Sequence, residues 1–199
     1  ADIEPTLRSL VQELRRRNVT FGGVHPRIRD LLRDEYLSCR TDEGFPMKPQ
    51  RIVYDIRRAV EFGWPVLVDT GALKMWMARP YPTFNPNTCL IDNSLSTMAW
   101  TLPGSIGASI AKPRVPVLAV MGDGSFLMNV QEIETAVRCS SRVVILVWVD
   151  SSYGLIKWKM GLHDGDHEFV DFKNPDVVKL AASFGARGHR IESADDMCP

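Results

Sequence analysis

"VLAVMGDGSF", residues 117–126, decides the fold. The apolar run from Val117 to Met121 stops at Gly122, Asp123 and Gly124, and a helical pattern follows. A short Val/Leu/Ala run bounded by glycine reads as a buried strand, and the acid behind it sets a charge at that strand's carboxyl end. The same rhythm repeats on both sides. Upstream stand "PVLVD" (65–69) as a strand, "GALKMWMAR" (71–79) as a short helix, "TCLID" (88–92) as a strand and "LPGSIGASIAK" (102–112) as a helix. Downstream stand "NVQEIETAVRC" (129–139) as a helix, "VVILVWV" (143–149) as a strand and "PDVVKLAASFG" (175–185) as a helix. Short continuous Val/Ile/Leu runs separated by amphipathic helices belong to strands covered on both faces. The expected fold is therefore α/β, a doubly wound, mostly parallel sheet with helices on both faces.

Before this pattern, Leu7, Leu10, Val11 and Leu14 share one helical face, and Ile28, Leu31, Leu32 and Tyr36 share another. Two amphipathic helices are expected over 5–17 and 26–40, joined by the loop "NVTFGGVHP". "RTDEGFPMKPQ" is an exposed connection, after which Pro49 opens a further helix. These breaks divide the chain into a helical linker over 1–45 and a main domain over 46–199. The closing "ESADDMCP" starts a helical pattern, which predicts that the domain continues beyond it.

The formal net charge is zero, with 45% hydrophobic and 24% charged residues, so no field across the chain favours nucleic acid or an anionic membrane. No apolar run reaches the roughly 18 residues a membrane span needs, and no signal peptide is visible. Cys39, Cys89, Cys139 and Cys198 are widely spaced without a CxxC pair, which suits reduced thiols and a cytoplasmic location.

Asp123 and Asp150 each follow a strand. If those strands are parallel neighbours, both carboxylates meet at the edge where α/β sheets bind ligands. Two like charges held there call for a hard cation such as Mg²⁺ or Ca²⁺, which prefers oxygen ligands and shares them with phosphate. Gly122 and Gly124 would let a ligand approach the backbone closely. A lone GDG is a weak signal, because Asp and Gly also form ordinary turns and helix caps. The second acid, followed by "SSYG", strengthens it.

"GDGSFLMNVQEIETAVRCSSRVVILVWVDSSYGLIKWKMG" (122–161) resembles the pyrophosphate-binding motif of thiamine-diphosphate enzymes, nearest to their acetolactate synthase branch. The resemblance runs from about 26 to 192 and takes in "FPMKPQRIV", "DTGALKMWMARPYPTFNPNTCLI", "STMAWTLPGSIGASIAKP" and "NPDVVKLAASFGA". It implies Asp123, Asp150 and the main-chain carbonyl of Ser152 as ligands of Mg²⁺. It implies Gly122, Gly124 and Ser125 beside the diphosphate of thiamine diphosphate, with Ser96, Met98 and Tyr153 as further cofactor contacts. The implied reaction is decarboxylation and carboligation of pyruvate or a similar 2-oxo acid. The resemblance also implies that the activating glutamate lies on a pyrimidine-binding domain or subunit outside this chain, which alone would not catalyse, and that the protein assembles as a homodimer or tetramer. The alternatives are a subunit of a split 2-oxo acid decarboxylase, and a non-catalytic scaffold with an eroded cofactor site. A dinucleotide-binding dehydrogenase domain shares the sheet type, but no GxGxxG opens a helix here.

Several positions depart from the family. Leu73 stands where a histidine donor to the diphosphate is usual, and Ser94 and Ala99 stand where glycines are usual. Val149 and Ser151 stand where asparagines flank the metal ligand. Each change is tolerable singly, and together they count against tight cofactor binding. "GLHDGDHEFVD" (161–171), with His163, Asp164, Asp166, His167 and Glu168, lacks the spacing of a metal helix and reads as a solvated loop. Met75, Trp76, Met77, Trp158 and Met160 read as core or subunit interface before substrate pocket. The basic run in "RSLVQELRRR" reads as a solvated helix face.

Overall fold

The computed structural model describes residues 2–19, 26–163, 165 and 167–197. Two compact units are present, Ala1–Arg33 and Asp34–Pro199. The first holds α1 (Ile3–Arg16) and the opening of α2 (Pro26–Ser38). The amphipathic stripe of α1 forms as predicted but buries no residue, and Leu7, Leu10 and Val11 are all exposed. Its charged face closes on itself through Arg8 with Glu4 and through Arg16 and Arg17 with Glu13. The loop reading of residues 20–25 lies outside the described residues, as do Cys198 and the last residue of the chain.

The second unit carries α3 (Pro49–Ala59), β1 (Val66–Val68), α4 (Ala72–Ala78), β2 (Cys89–Ile91) and α5 (Thr101–Ala111). It continues with β3 (Val117–Gly122), α6 (Asp123–Met128), α7 (Glu132–Arg138), β4 (Val143–Trp148), α8 (Gly154–His163) and α9 (Val177–Ser183), and closes its described part with a 3₁₀ turn at Asp195–Met197. All strand pairs are parallel, in the order β2-β1-β3-β4. The chain winds outward from β1 to β2, returns to the far side of β1 for β3, and moves on to β4. The direction of winding thus reverses between β1 and β3, and the loops there diverge to leave a crevice.

The pleat sends alternate side chains to opposite faces, and each face has its own core. Val66, Val68, Leu118 and Val120 pack with Val53 and Ile56 of α3 and with Leu73 and Met77 of α4, joined by Leu146 and Trp148. Met121, Ile145 and Val147 pack on the opposite side with Leu102 and Ile106 of α5, Phe126 of α6, Ile133 of α7 and Leu180 of α9. The sheet is therefore covered by helices on both faces, as the unbroken apolar runs predict. Full burial holds for β1 and nearly all of β3; β2 and β4 are only part-buried, and Val144 is exposed.

One reading needs correction. "GLHDGDHEFVD" is not loop throughout, because α8 runs to His163. Gly161 is tolerated within the helix, where a Cβ added to it would meet nothing. Asp164 and Asp166 lie outside the described residues. The Met/Trp cluster also divides: Met77 is core, Trp76 packs against it, and Met75 and Trp158 are exposed. Cys39, Cys89 and Cys139 are free thiols.

Candidate functional site

Each strand of the sheet is followed by an aspartate: Asp69 after β1, Asp92 after β2, Asp123 after β3 and Asp150 after β4. What surrounds each carboxylate separates their roles. Asp69 is completely buried, and its oxygens accept from the backbone N–H of Thr70 (2.8 Å), Ala99 (2.9 Å) and Thr101 (3.2 Å). Asp92 accepts from the N–H of Ser94 (3.1 Å) and Thr97 (2.9 Å), and the Thr97 amide leads in holding its carboxyl below the usual range. The loop from 92 to 101 therefore hangs from two acids. Their lone pairs go to main-chain donors that would otherwise be unmet.

That loop carries Ser96 and Met98. Ser96 is exposed, with φ +51°, and its Oγ accepts from Lys74 Nζ at 3.1 Å; Met98 is half-buried. Ala99 is buried, with φ +67°, so the backbone keeps the left-handed conformation of a glycine while the residue is alanine. Ser94 has no such conformation. Asn129 Nδ2 donates to Ala99 O at 3.0 Å and ties the loop to the end of α6.

Asp123 begins α6 and is 1% exposed. Its Oδ1 accepts from Gly124 N at 2.9 Å, and its Oδ2 accepts from Ser151 N at 2.7 Å and from Asn174 Nδ2 at 2.6 Å. Asp150 stands beyond the adjacent strand, and its Oδ1 accepts from Ser152 N at 3.2 Å. Desolvation, reinforced by the neighbouring Asp123 carboxylate, raises Asp150 above the ordinary carboxylate range, and the Ser152 amide opposes that shift. The register pairing Gly122 with Trp148 brings the two acids to one edge, as their strand positions predict.

Ser152 pairs across an isolated antiparallel bridge with Asp171. The bonds of that bridge run from Tyr153 N to Val170 O (2.9 Å) and from Phe172 N to Ser151 O (3.0 Å), so the Ser152 carbonyl takes no part in them. Ser125 is buried, and its hydroxyl donates to Thr70 O at 3.3 Å across the crevice. The glycines face protein as well as crevice. A Cβ on Gly124 would lie 2.8 Å from Tyr153 Cε1, and one on Gly122 would lie 3.3 Å from Leu73 Cδ2. Leu73 belongs to the core, 5% exposed, and offers no polar group here. Tyr153 and Phe172, with ring centroids 5.0 Å apart, line a cleft of about 300 Å³ together with Gly124, Leu127, Met128 and Lys173.

The sequence-based candidates thus fall into one neighbourhood, Gly122, Asp123, Gly124, Ser125, Asp150, Ser152 and Tyr153, and a loop across the switch point, Ser96 and Met98. Asp69, Asp92, Asn129 and Asn174 were not singled out from the sequence. Asp69 and Asp92 shared the strand-then-acid pattern that drew notice to Asp123; nothing local marked the two asparagines. Among the described residues, no group of three or more His, Cys, Asp or Glu side chains could hold a metal ion, so oxygen donors beyond Asp123 and Asp150 would have to come from main chain or ligand. No helix among the described residues is long and apolar enough to cross a membrane.

A parallel α/β domain whose crevice lies at the carboxyl ends of its central strands, with acids and helix starts facing it, belongs to the class that binds anionic ligands there. Residues 69–199 match the family described as "Thiamine pyrophosphate enzyme, C-terminal TPP binding domain", and the chain belongs to that family. It is 41% identical over 158 residues to an acetolactate synthase of Bacillus subtilis (strain 168), covering 79% of this chain and 27% of that one. It is 33% identical over 205 residues to the catabolic acetolactate synthase of Raoultella terrigena, covering 100% of this chain and 36% of the relative. The mitochondrial acetolactate synthase catalytic subunit of Saccharomyces cerevisiae is 32% identical over 166 residues, 81% of this chain and 24% of the relative. The chain therefore spans only about a quarter to a third of the length of these curated relatives.

Proposed function

We propose that this chain is the metal- and diphosphate-anchoring part of an acetolactate synthase-like enzyme that decarboxylates and joins pyruvate-like 2-oxo acids. The observation that carries the reading is the meeting of Asp123 and Asp150 at the carboxyl edge of β3 and β4, where burial and the neighbouring Asp123 carboxylate raise Asp150 above the ordinary carboxylate range. The donor set fits a hard divalent cation, since every group is an oxygen and, among the described residues, no cationic side chain is bonded to Asp123 or Asp150. In this reading Asp123, Asp150 and the Ser152 carbonyl hold Mg²⁺, while Gly122, Gly124 and Ser125 flank the diphosphate. Ser96, Met98 and Tyr153 contact the rest of the cofactor. When bound, thiamine diphosphate supplies the electron sink for the reaction.

The chain's own work is to bind, orient and exclude water. Asp69 and Asp92 hold the 92–101 loop in shape, Leu73 makes the floor beside Gly122 apolar, and Tyr153 covers Gly124. Leu95, Val149 and Phe169 are exposed on segments at this edge, at 86%, 61% and 96%, which supports a pyrimidine-binding domain or subunit closing over it. The activating glutamate would come from that partner.

Titration of the full chain with thiamine diphosphate and Mg²⁺, with a pyrimidine-binding partner domain present, tests the reading. We expect Mg²⁺-dependent binding that Asp123→Ala weakens by more than the roughly 10–100-fold that losing an outer-sphere partner costs. Failure of the wild type to bind with the partner present would overturn it.

The burial of Leu73 where the family has a polar donor favours a second reading, a scaffold whose cofactor site has eroded. That reading predicts cofactor affinity on restoring Leu73→His, Ser94→Gly and Val149→Asn together, and no gain counts against it.

A further inference from the structure

We propose that Asn174 is a positioning residue for the metal site, one that aims Asp123 and orders Ser151 between Asp150 and Ser152; the inference rests on the metal-binding reading above. Asn174 lies on the segment leading into α9, far in sequence from both strands. Its Nδ2 donates to Asp123 Oδ2 at 2.6 Å and to Ser151 Oγ at 3.2 Å. Ser151 N donates to the same Oδ2 at 2.7 Å. One carboxylate oxygen is therefore held from two separate segments, while Gly124 N holds the other.

The amide can face only one way. Turned over, it would set its oxygen against a carboxylate oxygen and lose the bond to Asp123. In the orientation it has, Oδ1 is buried without a hydrogen-bond partner among the described residues. The orientation is set by the carboxylate that Nδ2 faces. The chemistry of the donor matters as well. A lysine or arginine at this position would neutralise Asp123 and compete with a cation, whereas a neutral amide aims the carboxylate and leaves its charge for the ion.

Ser151 gives the second half of the argument. It has φ +56°, a costly conformation for a residue with a Cβ. Three contacts hold it there: its N–H to Asp123, its Oγ from Asn174 and its carbonyl from Phe172 N. Because Ser151 sits between Asp150 and Ser152, this conformation sets where both neighbours face. Asn174 reaches Asp123 and Ser151 together, so one amide governs all three proposed ligands.

The test is Mg²⁺ titration at fixed thiamine diphosphate on the full chain with its partner domain, for wild type, Asn174→Ala and the similarly sized Asn174→Leu. Thermal midpoints without metal are measured alongside. We expect the Mg²⁺ concentration at half-saturation to rise about tenfold or more in both variants, with thiamine diphosphate binding recovered at saturating Mg²⁺. A merely structural role would instead lower the metal-free midpoint and weaken cofactor binding at every Mg²⁺ concentration, which would overturn the proposal. Unchanged half-saturation in Asn174→Leu would also overturn it, and that variant decides if Asn174→Ala does not fold. A wild type with no Mg²⁺-dependent binding would defeat the metal-binding reading itself, and this inference with it.

Discussion

Ala99 shows how a single residue can keep a site's geometry while changing its energetics. The backbone there holds φ +67°, a region where an L-residue with a Cβ pays roughly 1–2 kcal/mol relative to its usual conformations. The strain persists because Asp69 accepts from Ala99 N and Asn129 donates to Ala99 O, fixing both sides of the residue. Ala99→Gly removes the strain but also a buried methyl and adds backbone freedom. We predict a change in unfolding free energy within about 1 kcal/mol of zero, where alanine to glycine inside a helix costs about that much. Chemical denaturation checks this, and a loss of several kcal/mol would show that the methyl's packing dominates. Gly124 teaches a different lesson. Its backbone needs no glycine, yet Tyr153 lies where a Cβ would go, so what reads in the sequence as room for a ligand is first room for an aromatic ring.

At the scale of elements, the alternation of strands and helices was legible because each strand is a continuous apolar run and most helices carry one apolar face. The start of α3 was legible because proline suits a helix's first position, and the partnership of β3 and β4 because both strands are continuous apolar runs. The end of α8 was not, because its apolar residues give no single stripe and the glycine and histidines beyond them resemble a loop. The inner roles of Asp69 and Asn174 were hidden because the partners that define them lie 23 to 51 residues away in sequence. At the start of α9, Asp176 is extended, and its carboxylate accepts from Val178 N and Lys179 N, both at 3.1 Å. The Lys179 amide leads in pulling the Asp176 carboxyl below its ordinary value. A depressed folded-state value means that the cap stabilises the helix above the unfolded carboxyl's pKa and is lost as pH falls through the folded one. We therefore expect Asp176→Ala to lower the thermal midpoint near neutral pH, with the gap to wild type closing in acid below the usual carboxylate range. A gap independent of pH would contradict that account.

For the whole molecule, the strand order β2-β1-β3-β4 puts the switch of winding beside Asp123, and everything proposed for the site follows from that placement. The fold was foreshadowed by the apolar runs alternating with helices, and the family membership by the resemblance of residues 122–161 to the thiamine-diphosphate motif. The departures at Leu73, Ala99 and Val149 were equally visible, but their consequences needed the structure. Leu73 became core, Ala99 kept a glycine's backbone, and Val149 is exposed at the strand end. The chain spans only about a quarter to a third of its relatives' length, so the most direct test locates the ion and does not depend on turnover. Crystals of the chain with its partner domain, grown with thiamine diphosphate and with Mn²⁺ in place of Mg²⁺, can be measured at the manganese absorption edge. The account predicts one anomalous peak bounded by the Asp123 and Asp150 carboxylates and the Ser152 carbonyl. A peak elsewhere, or none with the cofactor bound, would contradict it.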